Sequence, residues 1–355
     1  MPEFTGHTKL TKVRGSVAPE APKEKPFSTI HQGQSTNALT KLRAVEGKNA
    51  VIDAITGTAT IQSGDFTITI PQYEQLAGLK TSTYQLLDAI TVALTEKGAK
   101  SPTVTIPLSN YMHRRALKDR KEAKNQVKAD LEVLRQASIT WEEKRGNATS
   151  SYSFVNIADS GEIKRNGDIV FTFGTTFYNI LLGYPVMPYP DQLQSINNKK
   201  NPNSYYLLRK ISEHKNMNVG KKNENTIAVA TLLAVTPFIP SYDEVMSGNK
   251  NLTDRIVSPL ERDLDALSET LSWHYAHSND RPLTDEELAS MNYDIFKSLM
   301  VCTKWNTYPD QSARLERKAQ RLEAAAAKKV KRSPVKKSVA GKKKGIDDIH
   351  SLLFP

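Results

Sequence analysis

Cysteine is nearly absent from this sequence. A single residue, Cys302, in a chain of 355 excludes an intrachain disulfide and any zinc site built on several thiolates, and it fits a reducing compartment. Long apolar runs are missing too. None approaches the roughly 20 residues needed to span a bilayer, and the opening MPEFTGHTKL lacks the apolar core of a signal peptide. The expectation is a soluble, cytoplasmic protein with no membrane partner. At 38%, the hydrophobic share is low for a chain folded along its whole length, so part of it is expected to be disordered.

Catalytic signatures are also lacking. No glycine-rich phosphate loop is present, which argues against a P-loop ATPase. Metal-dependent relaxases and rolling-circle initiators need two histidines with one apolar residue between them. The nearest pair here, His274 and His277, has two between, and on a strand the pair would point to opposite faces. Asp263 and Asp265 lie two apart on a predicted helix and diverge. The sequence therefore predicts no enzyme, no metal and no cofactor.

What the sequence does have is unevenly placed charge. The net charge is +11, yet residues 311–355 hold thirteen Lys or Arg against four acids, a net +9. The first 310 residues are almost neutral. A neutral body with a basic tail points to a polyanionic partner.

Along the chain, residues 1–50 mix Pro, Gly, Ser, Thr and Lys without period and are expected to be a disordered arm. Residues 51–185 and 203–310 are expected to be two domains, joined by a linker at 186–202 within a stretch holding four prolines. The alternation of Asp65–Ile70 predicts a strand, and Gln72–Ala77 a short helix. A helix is predicted over Thr81–Lys97 with Gly98 as its stop, and a strand over Thr103–Ile106. Ser109 is placed as the cap of a short helix, followed by a charged helix over Lys118–Ala137. Three β segments then follow: Ser138–Glu143, Ser151–Ile157 and Ile169–Phe173. The order repeats, with helices at Tyr205–His214 and Thr226–Val235. A capping box at Ser241 and Glu244 precedes a helix presenting Ile256, Leu260, Leu264 and Leu267. Leu271–Tyr275 reads as a strand, Ser278–Pro282 as a wing loop, Thr284–Ser290 as a capped helix and Ile295–Trp305 as the returning strand. Helix, helix, then hairpin is the order of a winged helix. The fold class expected is α+β, two tandem winged-helix domains with disordered N- and C-terminal tails.

Three basic regions could hold DNA. The stretch Tyr111–Lys128 has seven basic residues and two acids, among them Arg114, Arg115, Lys118 and Arg120. On a helical wheel Ala123, Val127, Leu131 and Leu134 form a core face, and Lys121, Lys124, Lys128 and Arg135 a stripe beside it. Such a stripe suits a helix lying in a groove flanked by phosphates. The competing account is a solvated face laced with pairs such as Lys118–Glu122 and Lys128–Glu132. In the second region Arg255 and Arg262 stand seven apart with Ser258 between them, and Lys250 and Arg281 lie nearby. The helix begins either at Thr253, absorbing Pro259, or at Ser258 acting as a cap. Pairing of Arg255 with Asp254 or Glu261 is the alternative to a DNA contact. Arg145 sits in the first hairpin turn. The third region is the tail, with Lys331, Arg332, Lys336 and Lys337, where counter-ion release adds affinity without sequence preference; a merely solubilising tail is the alternative. The terminal Ile346–Phe354 is apolar and acidic and could dock on a host protein.

The tandem order resembles plasmid replication initiators of the iteron-binding type. The likeness is carried by Ile106–Tyr111 with the helix Asp119–Ala137 and Trp141, and by Asn203–Arg209 with Ile239–Tyr275, spanning about residues 60–305. It implies two winged-helix domains binding repeated double-stranded DNA sites at an origin, melting of adjacent DNA, and recruitment of a host helicase; Ile346–Phe354, outside the resemblance, is a separate candidate contact for a host helicase or clamp. It also implies exchange between monomer and homodimer. A transcriptional regulator with the same parts, and a structural or partition protein binding mainly through its tail, are the competing readings.

Overall fold

β-branched runs make the first strands. In the computed structural model these are β1 (Phe27–His31), β2 (Val51–Asp53), β3 (Thr58–Ser63) and β4 (Phe66–Ile70). The structure describes residues 26–33, 51–53, 58–63, 66–70, 80–145, 148–248, 251–278, 281–284, 286–287 and 291–316, with 319–320 and 323. The helix expected at Gln72–Ala77 lies outside them. Helix α1 (Thr81–Glu96) ends where a glycine permits it: Gly98 takes φ +72° and its N–H bonds to the Thr95 carbonyl at 3.0 Å. Next come β5 (Thr103–Pro107), α2 (Leu108–Arg114) and α3 (Arg120–Gln136). Ser109 lies inside α2 and does not cap it; Pro107 stands at the cap position.

Four strands follow: β6 (Ser138–Arg145), β7 (Ala148–Asn156), β8 (Ala158–Ile163) and β9 (Asp168–Phe173). They divide between two sheets. The β6–β7 hairpin joins β4 in the order β2-β3-β4-β6-β7, whereas β8 and β9 join β5 in the order β5-β9-β8. The hairpin beside α3 is therefore β8–β9, closed by Gly167 at φ +98°. Sequence reading missed β8 because Ala158–Ile163 has no fully buried position and shows no apolar alternation.

Then come α4 (Thr175–Gly183), β10 (Val186–Pro190) and α5 (Gln192–Ser195). The last two occupy the stretch expected to be a linker. β10 pairs with β1, itself inside the arm expected to be disordered, with Thr29 opposite Pro188 and Phe27 opposite Pro190. In a two-stranded ribbon each strand has a free edge, so a proline there costs no ladder bond. Ile30, Tyr189 and Leu193 are buried, which is why both segments are ordered.

The second half runs α6 (Ser204–Asn218), β11 (Thr226–Ala228), α7 (Val229–Leu233) and α8 (Tyr242–Ser247). Thr226–Val235, expected as one helix, is thus a short strand followed by a short helix. The Ser241–Glu244 capping box is present on α8. One π turn (Thr253–Val257) leads directly into α9 (Ser258–Asp265). The helical stretch therefore begins before Ser258, which caps nothing. Pro259 lacks the N–H that would bond four residues back, and the wider π turn absorbs that gap. β12 (Leu271–Ala276), α10 (Tyr293–Ser298) and β13 (Met300–Trp305) close the half. The expected strand over Ile295–Trp305 begins only at Met300, because the Asn292 side chain caps a helix at Ile295. The sheet order β11-β13-β12 repeats that of β5-β9-β8.

The fold is mixed α+β. Its two halves share one continuous core extending from Ile30 to Val301, and residues 1–309 form one compact unit where 51–185 and 203–310 were expected as separate domains. Residues 310–355 form a second unit. Among the described residues no helix is long and apolar enough to cross a membrane.

Candidate nucleic-acid interface

Each half carries one helix with exposed cations, the net-positive α3 and the π turn with α9, where Arg255 and Arg262 stand among four acids, and each is fixed by a buried aspartate. On α3 the positions Ala123, Val127, Leu131 and Leu134 are buried, as their spacing requires, and Lys121, Lys124, Lys128 and Arg135 are exposed. Asp119 caps the helix, accepting the Glu122 N–H at 2.8 Å. Asp130, 2% exposed, accepts the hydroxyls of Ser82 at 3.0 Å and Thr83 at 2.7 Å, both in the first turn of α1. Burial raises the Asp130 pKa to about 6, against the lowering effect of the two hydroxyls. On α9 the corresponding residue is Asp263, which is fully buried. It accepts the Asn203 backbone N–H at 2.9 Å and side-chain amide at 2.8 Å, and its carbonyl accepts the Ser204 hydroxyl at 2.7 Å. In both halves this helix is thus bonded to the start of the first helix of that half. Asp265 turns elsewhere and accepts the Trp273 indole N–H at 3.1 Å.

The cationic residues fall into distinct groups. Among the described residues, Lys118, Lys121 and Lys124 have no hydrogen-bonded or ion-paired side-chain partner, and neither Lys118–Glu122 nor Lys128–Glu132 forms a close ion pair. Glu132 bonds to Arg135 instead. Arg120 is exposed and donates to the Asn166 carbonyl at 3.3 Å, tying the start of α3 to the β8–β9 turn. Arg114 pairs with Glu96 at 3.5 Å, with both side chains 40% exposed. Arg115 leaves the candidate set. It is 7% exposed and donates to the Gln194 carbonyl at 2.9 Å, so it braces the turn between α2 and α3.

On the second face Arg255 and Ser258 are exposed. Asp254, a proposed partner of Arg255, is bonded to Asn251 instead. Arg262 is half exposed and donates to Asp263 at 2.9 Å, so part of its charge is already used. Arg281 pairs with Glu287, which also lies 3.1 Å from His277. The side chain of Arg145, at the end of β6, and all of Lys250, Lys331, Arg332, Lys336 and Lys337 lie outside the described residues. The sequence reading overlooked Lys164 and Arg165, exposed at the tip of the β8–β9 hairpin. Two basic residues before an Asn-Gly turn were the available signal.

The two halves are joined through a buried polar network. Asp88 of α1 and Arg209 of α6 pair at 2.5 Å, both side chains about 5% exposed. The hydroxyls of Tyr205 and Tyr189 donate to Asp88 at 2.7 Å and 3.0 Å, and Arg209 also reaches Glu213 at 3.4 Å. Burial and the neighbouring carboxylate push both tyrosine hydroxyls well above their usual pKa.

No known protein family matches this chain. No curated protein matches it either. Among solved structures it is similar to two crystal structures of domains 2 and 3 of RctB. The first, of selenomethionine derivatives, has a TM-score of 0.42 and 10% identity, covering 75% of this chain and 98% of that one. The second has a TM-score of 0.36 and 6% identity, covering 73% and 95%.

Proposed function

We propose that this chain is a double-stranded DNA-binding replication initiator that recognises repeated origin sites through two winged-helix units and performs no chemistry of its own. The observation that carries the reading is the repeated arrangement of a first helix, a strand, a short helix, a helix with exposed cations and a hairpin, interrupted by β6–β7 in the first half and by α8 and α10 in the second, with the sheet order first-third-second in each half. In each copy the helix before the hairpin presents exposed cations, Lys121, Lys124 and Lys128 on α3 and Arg255 and Arg262 at the π turn and α9. Asp130 and Asp263 hold these helices from behind, which fixes the direction in which they face. The resemblance to iteron-binding plasmid initiators adds the origin repeats, recruitment of a host helicase and the monomer–homodimer exchange as parts of the same proposal, and the apolar, acidic Ile346–Phe354 is its separate candidate docking segment for a host helicase or clamp.

Footprinting on DNA flanking the protein's own gene tests the reading. Protection of tandem direct repeats supports it; one palindrome indicates a transcriptional regulator, and no preferred site a structural DNA-binding protein. The triple variant Lys121→Ala, Lys124→Ala and Lys128→Ala is expected to flatten the dependence of log K on log salt by about 0.9 per lost phosphate contact.

A further inference from the structure

The segment joining the two halves is bonded to both of them. On the side of the first half, Gln85 of α1 donates to the Leu193 carbonyl at 2.9 Å, Asn198 donates to the Gln85 side-chain oxygen at 2.7 Å, and Arg115 donates to the Gln194 carbonyl. On the side of the second half, Gln192 donates to the Ala266 carbonyl at 3.0 Å, just past α9, and Asn203 is held by Asp263. Between these anchors the sequence is Asn197-Asn-Lys-Lys-Asn201. The Asn197 side chain accepts the backbone N–H groups of Lys199 at 3.0 Å and Lys200 at 3.2 Å, and its carbonyl accepts that of Asn201. The loop is therefore set by its own backbone, and Lys199 and Lys200 point outward, exposed. Neither forms an ion pair or side-chain hydrogen bond among the described residues.

This loop lies where α1 and α6 meet. Thr81 and Tyr206 bond through their hydroxyls at 3.1 Å, and Tyr84 stacks on Tyr205 with centroids 6.3 Å apart. Thr81 is the first residue of α1, and Lys80, exposed, stands directly before it. The N-terminal turns that meet here are the ones bonded to α3 and α9, through Asp130 and Asp263. Lys80, just before α1, and Lys199 and Lys200, just before α6, thus stand beside the turns that hold α3 and α9.

We propose that Lys80, Lys199 and Lys200 form a third DNA-binding element, a phosphate-backbone contact between the segments read by α3 and α9. The inference rests on the DNA-binding reading above. Two helices that each enter a groove leave a stretch of sugar-phosphate backbone between them, and cations fixed at that place neutralise it whatever its sequence. The element adds affinity and sets the distance between the two reading helices along the DNA, and it discriminates no base.

The test is the full chain carrying Lys80→Ala, Lys199→Ala and Lys200→Ala, measured for binding to its footprinted site and to random DNA across a salt series. The salt slope is expected to fall by about 0.9 per contact, with both affinities reduced by a similar factor. Hydroxyl-radical protection should vanish from backbone between the two protected segments while the segments themselves persist. The control, Lys100→Ala, Lys221→Ala and Lys222→Ala, removes equal charge beyond the opposite ends of the same helices, roughly 20 Å away, and should leave the slope nearly unchanged. Equal effects of the two triple variants, or an unaltered slope in the first, overturn the inference. The Lys121, Lys124 and Lys128 variant separates the two claims. If it flattens the slope while the Lys80, Lys199 and Lys200 variant does not, only the third element fails; if neither does, the DNA-binding reading fails with it.

Discussion

The Asp130 carboxylate accepts the Thr83 hydroxyl at 2.7 Å, which ties the basic helix α3 to the first turn of α1. In the second half Asp263 and Asn203 make the equivalent tie at 2.9 Å. A helix that reads a groove must hold its orientation under load, and a buried carboxylate bonded to a neighbouring helix resists rotation about the helix axis.

Asp130 carries a cost that pH exposes. Its pKa is raised from 3.8 to about 6 by burial, so the folded state binds a proton between these values that the unfolded state does not. Stability from this group is therefore highest below about pH 4 and declines as pH rises to about 6, by up to roughly 3 kcal/mol. Asp130→Asn keeps an oxygen for Ser82 and Thr83 and removes the titration. Urea midpoints between pH 4 and 7 should show a flatter profile than the parent and no loss at pH 7. A parallel profile would show that another group titrates in this window.

The Asp88–Arg209 pair should behave as a buried ion pair. Arg209→Met leaves the Asp88 carboxylate buried with only the Tyr189 and Tyr205 hydroxyls, and is expected to cost about 3–5 kcal/mol. Equilibrium denaturation measures this directly; a loss below about 1 kcal/mol would place the pair in solvent.

Arg115 and Lys121 should separate cleanly. Arg115→Ala removes a buried donor to Gln194 and is expected to lower stability by about 1–3 kcal/mol without altering the salt slope of DNA binding. Lys121→Ala should do the reverse. A slope change with Arg115→Ala at unchanged stability would return Arg115 to the DNA contacts.

Arg255 and Arg262 are expected to differ. Arg255 is exposed, and its guanidinium has no ion pair or hydrogen bond among the described residues; Arg255→Ala should cost about 1–3 kcal/mol at the specific site and little on random DNA if it reads a base. Arg262 also neutralises Asp263, so Arg262→Ala should lower both thermal stability and affinity. Equal losses on specific and random DNA for Arg255→Ala would make it a phosphate contact.

Deleting residues 328–355 removes most of the basic tail. Binding to every DNA should weaken by a similar factor at low salt, while the footprint and the ratio of specific to random affinity persist. Loss of the footprint would make the tail a reader of sequence.

The sequence by itself determined the features whose geometry is local. The buried faces of α3 and α9, the stop at Gly98, the turn at Gly167 and the capping box of α8 all follow from helical period, left-handed glycine and short-range capping bonds, none of which depends on distant residues. The exposed stripe of Lys121, Lys124 and Lys128 was legible for the same reason. Tertiary structure alone decided what the polar residues do. Arg115 reads as one more cation of a basic stretch until Gln194, 79 positions away, receives it. Pro188 and Pro190 read as a linker until β1 pairs with them across more than 150 residues. Asp88, Asp130 and Asp263 look like surface acids in sequence, and become anchors only because burial withdraws solvent and leaves a hydroxyl, an amide or a guanidinium from another element as the remaining partner. Lys199 and Lys200 read as linker residues, because their position beside the turns that hold α3 and α9 is a property of the fold and not of the spacing.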